Sequence, residues 1–213
     1  CVHALHRLSD AHRLRRRPVS GERATRRLDV LGLGVSVTGW PDVVENVARD
    51  FAWFERPELP RADVSIVVDR HAPDYERFGP ALSSFVTPRN VVYQLDGKTI
   101  VDYFGRVVSV LDRADGSLLV QGEEPAIVHE AVYLFVLSRV GEHLDAVRLP
   151  RLHALGLSGV QGAVAVMLPS GGGKSTLALR ALQADGVRLL SEDSPLLDRD
   201  GRLAYSNAGH NSP

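Results

Sequence analysis

The first half of the chain alternates apolar and polar positions in short runs, as half-buried strands do. Two of these runs flank an Asp96-Gly97 pair and two more flank Asp115-Gly116, and such pairs fit tight turns between antiparallel strands. The predicted strands of this half cover residues 28–38, 63–69, 90–95, 98–104, 107–112 and 117–121. We therefore expect the strands within residues 90–121 to form an antiparallel meander, and we interpret residues 71–88, which contain three prolines, as a loop with brief local structure.

Two segments of the same half have apolar residues at helical spacing. Asp42 can cap a helix that runs to Trp53 with one apolar face. A longer helix is predicted to begin at Glu123-Glu124-Pro125, because acidic residues suit the positive end of a helix and proline suits its first turn. Strands and helices together predict an α+β domain over residues 28–150.

The pattern changes to that of an α/β unit over residues 151–213, where short apolar strands surround a glycine run and a helix. The predicted strands are 152–157, 160–168, 187–190, 194–197 and 203–205, and the predicted helix is 177–184. A sheet that holds a phosphate loop normally has more strands than this segment supplies. We therefore expect the chain to be part of a longer protein.

The glycine run between the strand and the helix has the core of a phosphate-binding P-loop, or Walker A motif. Its residues are Ser170, Gly171, Gly172, Gly173, Lys174, Ser175 and Thr176. Glycines let backbone N–H groups turn toward phosphate oxygens, and the helix that follows presents its positive end to the same anion. Lys174 is then expected to reach the β- and γ-phosphates, and the Ser175 hydroxyl to hold Mg²⁺.

Two further observations bear on this motif. The position of its usual leading glycine is occupied by Leu168, so the alternative is a glycine turn that caps a helix and binds nothing. The chain has 25 basic residues, of which only Lys98 and Lys174 are lysines. A lysine retained at this position favours a phosphate site, because a compact ammonium fits a phosphate cradle.

Candidate acids and a histidine lie on either side of the loop. Glu192 and Asp193 end an apolar strand, where a carboxylate can hold Mg²⁺ or accept a proton from an attacking hydroxyl. The alternative is a pair of solvated loop acids. His153 precedes Lys174 by 21 residues, and taken alone it is more typical of a structural histidine.

Composition is that of a soluble globular protein, with 44% hydrophobic and 24% charged residues and no apolar run long enough to cross a bilayer. The single cysteine is typical of a reducing compartment. Residues 1–27 carry eight arginines against two acids. We interpret them as a basic N-terminal extension rather than a nucleic-acid contact, and we expect a cytoplasmic protein with no membrane partner.

The segment 152–198 resembles the kinase domain of bacterial HPr kinase/phosphorylase and its relatives. The matching elements are His153-Ala154, Ser158-Gly159, the strand 164–168, the loop 170–175, the helix 177–184, Gly186 and Glu192-Asp193. Three positions depart from the family: its acid pair is usually Asp-Asp, its loop has a leading glycine, and its bifunctional members have an acid where this chain has Thr176. The resemblance implies an α/β P-loop kinase fold similar to that of ATP-dependent phosphoenolpyruvate carboxykinase.

The resemblance also implies an activity, namely transfer of the γ-phosphoryl group of ATP to a serine of a small protein or precursor peptide in a bacterial cytoplasm. It assigns Glu192 as the base, Asp193 and Ser175 to Mg²⁺, and His153 and Lys174 to the phosphates. The alternatives are a kinase of a small hydroxylated metabolite and a non-catalytic nucleotide-binding regulator. The oligomeric state stays open, with a homo-oligomer among the options.

Overall fold

A computed structural model of the chain describes residues 22–78 and 82–204. Residues 1–21 of the predicted basic extension lie outside the described residues, and so does Tyr205 of the last predicted strand. The described residues form a mixed α/β structure with three α-helices and one large mixed sheet. They fall into two compact units that divide between Leu137 and Ser138. The domain border that we place between residues 150 and 151 stays a prediction.

The first unit is built on an eight-stranded sheet in the order β1-β2-β3-β8-β7-β6-β5-β4. Its strands are β1 (Ala24–Val30), β2 (Leu33–Gly39), β3 (Val64–Asp69), β4 (Ser83–Val86), β5 (Val91–Leu95), β6 (Lys98–Asp102), β7 (Val107–Asp112) and β8 (Ser117–Gly122). Helix α1 (Pro41–Asp50) connects β2 to β3, and α2 (Pro125–Ala146) follows β8. Strand β3 pairs in parallel with both β2 and β8, whereas β4 to β8 form the predicted antiparallel meander.

Three predictions for this unit need correction. The predicted strand 28–38 is two strands joined by a tight turn, in which Leu31 and Gly32 have φ of 57° and 90° and the Gly32 N–H bonds to Asp29 Oδ1 at 2.9 Å. The predicted loop 71–88 contains strand β4, which the pattern did not indicate, and its brief local structure includes a 3₁₀ turn at Tyr75–Arg77. Helix α1 ends at Asp50, and the predicted continuation to Trp53 is a separate 3₁₀ turn.

Buried valines, leucines and isoleucines form the core of the first unit. On α1, Val43, Val44 and Val47 are fully buried at helical spacing. In the meander, Val91, Tyr93, Ile100 and Val108 pack into one cluster. Each side chain of this size contributes about 1.5–3 kcal/mol when it is removed from water, so these contacts hold the sheet together.

The second unit has a smaller, three-stranded sheet in the order β10-β9-β11. Its elements are β9 (Leu155–Gly159), β10 (Gly162–Val166), α3 (Lys174–Ala181), β11 (Arg188–Ser191) and the short pair β12 (Leu196–Leu197) and β13 (Leu203–Ala204). Leu155 and Leu157 of β9 pack against Ala178 of α3, and this contact fixes the helix on the sheet. Helix α3 begins at Lys174, three residues before the predicted start.

Candidate functional site

The strand directions of the second unit bring three separate segments to one edge of its sheet. Strands β10 and β11 both run antiparallel to the central strand β9, so they run parallel to each other. The loop that follows β10 and the acids that follow β11 therefore lie at the same edge as His153, which precedes β9. Each adjacent pair of strands in this sheet is antiparallel.

The glycine loop turns sharply between β10 and α3. Gly171 and Gly173 have φ of 74° and 89°, which is the left-handed region that glycine adopts without steric cost. The Gly172 N–H bonds to the Pro169 carbonyl at 2.8 Å, and Gly173 is the residue from which α3 starts. The loop therefore ends at the positive end of the helix, with Ser170 and Thr176 at exposed positions on either side.

Lys174 is the centre of the cluster, and its side chain is only 13% exposed. The ammonium Nζ lies 2.7 Å from His153 Nε2 and 3.0 Å from Asp193 Oδ1. Because an ammonium only donates, Nε2 of His153 accepts, and its Nδ1 carries the proton that faces Asp193 Oδ1 at 3.1 Å. The network thus fixes the tautomer of His153 and the direction of the Lys174 side chain.

Electrostatics in this cluster favour the ionised form of Asp193. The Lys174 ammonium donates to its carboxylate and holds the pKa of Asp193 below its usual range, and the nearby His153 acts in the same direction. Both carboxylate and imidazole are largely exposed, so the pair is open to solvent and to an incoming ligand. A phosphate that binds Lys174 competes with Asp193 for the same donor.

The other acid occupies a different position. The Ser175 hydroxyl donates to Glu192 Oε1 at 2.5 Å, so Glu192 rather than Asp193 contacts the residue expected to hold Mg²⁺. Hydroxyl and carboxylate oxygens are hard ligands of the kind Mg²⁺ takes, usually one or two from the protein with phosphate and water oxygens completing its coordination. Ser175 and the two adjacent carboxylates, Glu192 and Asp193, carry oxygens of the kind that fit that ion. Within residues 22–78 and 82–204, no larger group of His, Cys, Asp or Glu side chains is arranged to hold a metal.

The second unit has two cavities, one at the far end of α3 and one beside His153 at this edge of the sheet. One of about 490 Å³ is lined by Leu157, Val164, Ala181 and Val187, and it lies at the end of α3 away from the loop. The other, of about 260 Å³, is lined by Asp145, Pro150, Arg151, Leu152, His153 and Ser194. No sequence motif includes Asp145, Arg151 or Ser194. The one signal that could have pointed to Arg151 is its place two residues before His153.

In comparisons with known proteins, the chain matches no protein-family model, no curated protein and no solved structure. A membrane-crossing helix is not found either, because none in the described part of the chain combines the necessary length and apolarity.

Proposed function

We propose that the chain is an ATP-dependent serine kinase of the HPr-kinase-related type, with a P-loop kinase site at the edge of the second unit. The observation that carries this proposal is the cluster around Lys174. Segments that start at His153, Lys174 and Glu192 meet within hydrogen-bond distance, next to a glycine loop and the start of a helix. A glycine turn that merely caps a helix has no need of this constellation.

The phosphates of ATP bind at the loop in this proposal. Backbone N–H groups at the start of α3 face the β- and γ-phosphates, and the Lys174 ammonium moves from Asp193 to a phosphate oxygen. Ser175, together with Asp193 once Lys174 has left it, would hold Mg²⁺, which when bound neutralises part of the phosphate charge. Charge neutralisation and positioning supply most of the catalysis in phosphoryl transfer. In this proposal Lys174 and Mg²⁺ neutralise charge, and the backbone N–H groups of α3 position the phosphates.

Transfer itself is an in-line displacement at the γ-phosphorus. The serine hydroxyl oxygen forms a bond to the γ-phosphorus while the bond to the β,γ-bridging oxygen breaks, and ADP leaves with that electron pair. The hydroxyl proton passes to a carboxylate of the acid pair, for which the resemblance favours Glu192. Asp193 and His153 hold Lys174 before the nucleotide arrives.

The test uses a degenerate peptide mixture with one central serine, Mg-ATP and mass spectrometry of the products. The wild-type chain is expected to give phosphoserine, and Lys174→Ala to give none, because the phosphates lose their cation. Lys98→Ala is the matched control, since Lys98 is the only other lysine and lies in β6 of the first unit. Equal transfer by Lys174→Ala and wild type would show that the loop takes no part in the reaction.

A further inference from the structure

The cavity of about 260 Å³ beside His153 is the feature that the proposed function leaves unexplained. Pockets that enclose a drug-sized ligand have roughly 300–1,000 Å³, so this one is too small for a nucleotide and suits a single residue-sized group. His153 lines the cavity and also contacts Lys174, which is the proposed phosphate ligand. The cavity is therefore adjacent to the position that the γ-phosphate would occupy.

Its walls carry one cation and one anion. Arg151 and Asp145 both line the cavity, and neither side chain forms an ion pair with another described residue. A guanidinium offers a planar fork of donors to a carboxylate or carbonyl, and a carboxylate accepts from an ammonium or amide N–H. Such a pair can bind the amino and carboxyl groups of a free amino acid, or the N–H and C=O groups of a residue in a peptide.

The position of Arg151 is built into the fold of the second unit. Backbone hydrogen bonds hold its neighbours on both sides, from Leu152 N–H to the Pro195 carbonyl at 2.9 Å and from Leu197 N–H to the Pro150 carbonyl at 3.1 Å. The guanidinium lies against Gly141 of α2, where an added Cβ would clash with Nη2 and would stand 2.9 Å from Cζ. Glycine at 141 therefore leaves the space that the guanidinium occupies.

We infer that this cavity is the acceptor site and that it binds one seryl unit, with Arg151 on its carboxylate or carbonyl oxygen and Asp145 on its amine or amide N–H. The inference rests on the proposed kinase function. A seryl group held in this way presents its hydroxyl toward Lys174 and the γ-phosphate. Its oxygen forms the new bond to phosphorus as ADP leaves, and its proton passes to the acid pair. Free serine and a serine within a peptide share this chemistry.

The experiment measures phosphoryl transfer from Mg-ATP to two probes, L-serine and acetyl-Gly-Ser-Gly-amide, together with calorimetric binding of Mg-ATP. Arg151→Ala is expected to raise the KM for the accepted probe about 10- to 100-fold, because a charge-assisted hydrogen bond is lost. The KM for ATP is expected to stay at the wild-type value. Arg180→Ala, an exposed arginine of α3 outside the cavity, is the matched control and should change neither constant.

A second variant keeps every charge and displaces only the guanidinium. Gly141→Ala puts a methyl group where Arg151 lies, while alanine favours the helix, so the fold is maintained. It is expected to raise the acceptor KM in the same direction as Arg151→Ala. Asp145→Asn is expected to raise the KM for free L-serine more than the KM for the blocked peptide, because only the free amino acid brings a positive charge to Asp145.

The outcomes separate the inference from the function on which it rests. Transfer to L-serine alone supports a free amino acid as the source, and transfer to the peptide alone supports a serine-containing chain. Transfer with an unchanged acceptor KM in both Arg151→Ala and Gly141→Ala would overturn the inference and leave the kinase function standing. Mg-ATP binding without transfer to either probe would also overturn it, and absence of Mg-ATP binding would overturn both.

Discussion

Alanine at Gly172 is the substitution for which the structure predicts the clearest effect on nucleotide binding. An added Cβ would lie 2.8 Å from the Pro169 carbonyl oxygen, 3.1 Å from Leu168 Cβ and 3.2 Å from Pro169 Cδ. None of these atoms belongs to a flexible side-chain end that could rotate away. The Pro169 carbonyl also accepts the Gly172 N–H at 2.8 Å, so relief of the clash would stretch or break that hydrogen bond.

The size of the effect follows from this contact. Overpacking of a well-packed site costs about 1–3 kcal/mol, and here the cost falls on the loop conformation that would receive the phosphates. With about 1.4 kcal/mol per tenfold change in affinity, Gly172→Ala is expected to weaken Mg-ATP binding roughly 5- to 150-fold. The loop is exposed, so the overall fold should survive.

Isothermal titration with Mg-ATP measures this change, and thermal unfolding checks that the variant is folded. Gly97→Ala is the matched control: Gly97 has φ of 77° in a hairpin turn of the first unit, and a Cβ there would meet no atom within 4 Å. It should retain wild-type affinity despite the backbone strain. If folded Gly172→Ala binds Mg-ATP within twofold of wild type, the loop geometry described above does not serve phosphate binding.

Two other predictions concern the acids. Glu192→Gln is expected to keep most Mg-ATP binding and to lower transfer by about 10²-fold or more if Glu192 takes the hydroxyl proton; unchanged single-turnover rates would assign that role elsewhere. The lowered pKa of Asp193 means that its pairing with Lys174 is intact above the usual aspartate range and is lost only as pH falls through the lowered value. Carboxyl NMR should show this, with Lys174→Ala moving the midpoint upward; a midpoint at or above that of an ordinary aspartate would contradict the contact.

Local sequence patterns were sufficient for the elements in which turn chemistry and periodicity agree. The Asp96-Gly97 turn, the meander strands around it and helix α2 are present as predicted. The turn at Leu31-Gly32 was missed because a leucine at positive φ carries no turn signal of its own, and its support comes from Asp29. Strand β4 was missed because prolines at either end of its segment favour a loop.

Long-range pairing could not be predicted from such patterns. The parallel pairing of β3 with β2 depends on the crossover through α1, and that of β3 with β8 depends on the strands β4 to β7 between them; periodicity distinguishes neither from an antiparallel arrangement. At the site, the loop motif contains Lys174 and Ser175, the end of a predicted strand supplied both acids, and the resemblance grouped Asp193 with Ser175. The structure pairs Ser175 with Glu192 and Lys174 with Asp193, because consecutive residues after β11 diverge to different sides.

In the proposed reaction, the γ-phosphoryl group of ATP passes to a serine hydroxyl at the Lys174 cluster. The most direct measurement incubates the wild-type chain and the serine peptide mixture with ATP labelled at the γ- or the α-phosphorus. We expect labelled phosphoserine from γ-labelled ATP only, with release of ADP in equal amount. Label from the α-position on the acceptor, or ATP binding with no labelled serine from either, would contradict a serine kinase.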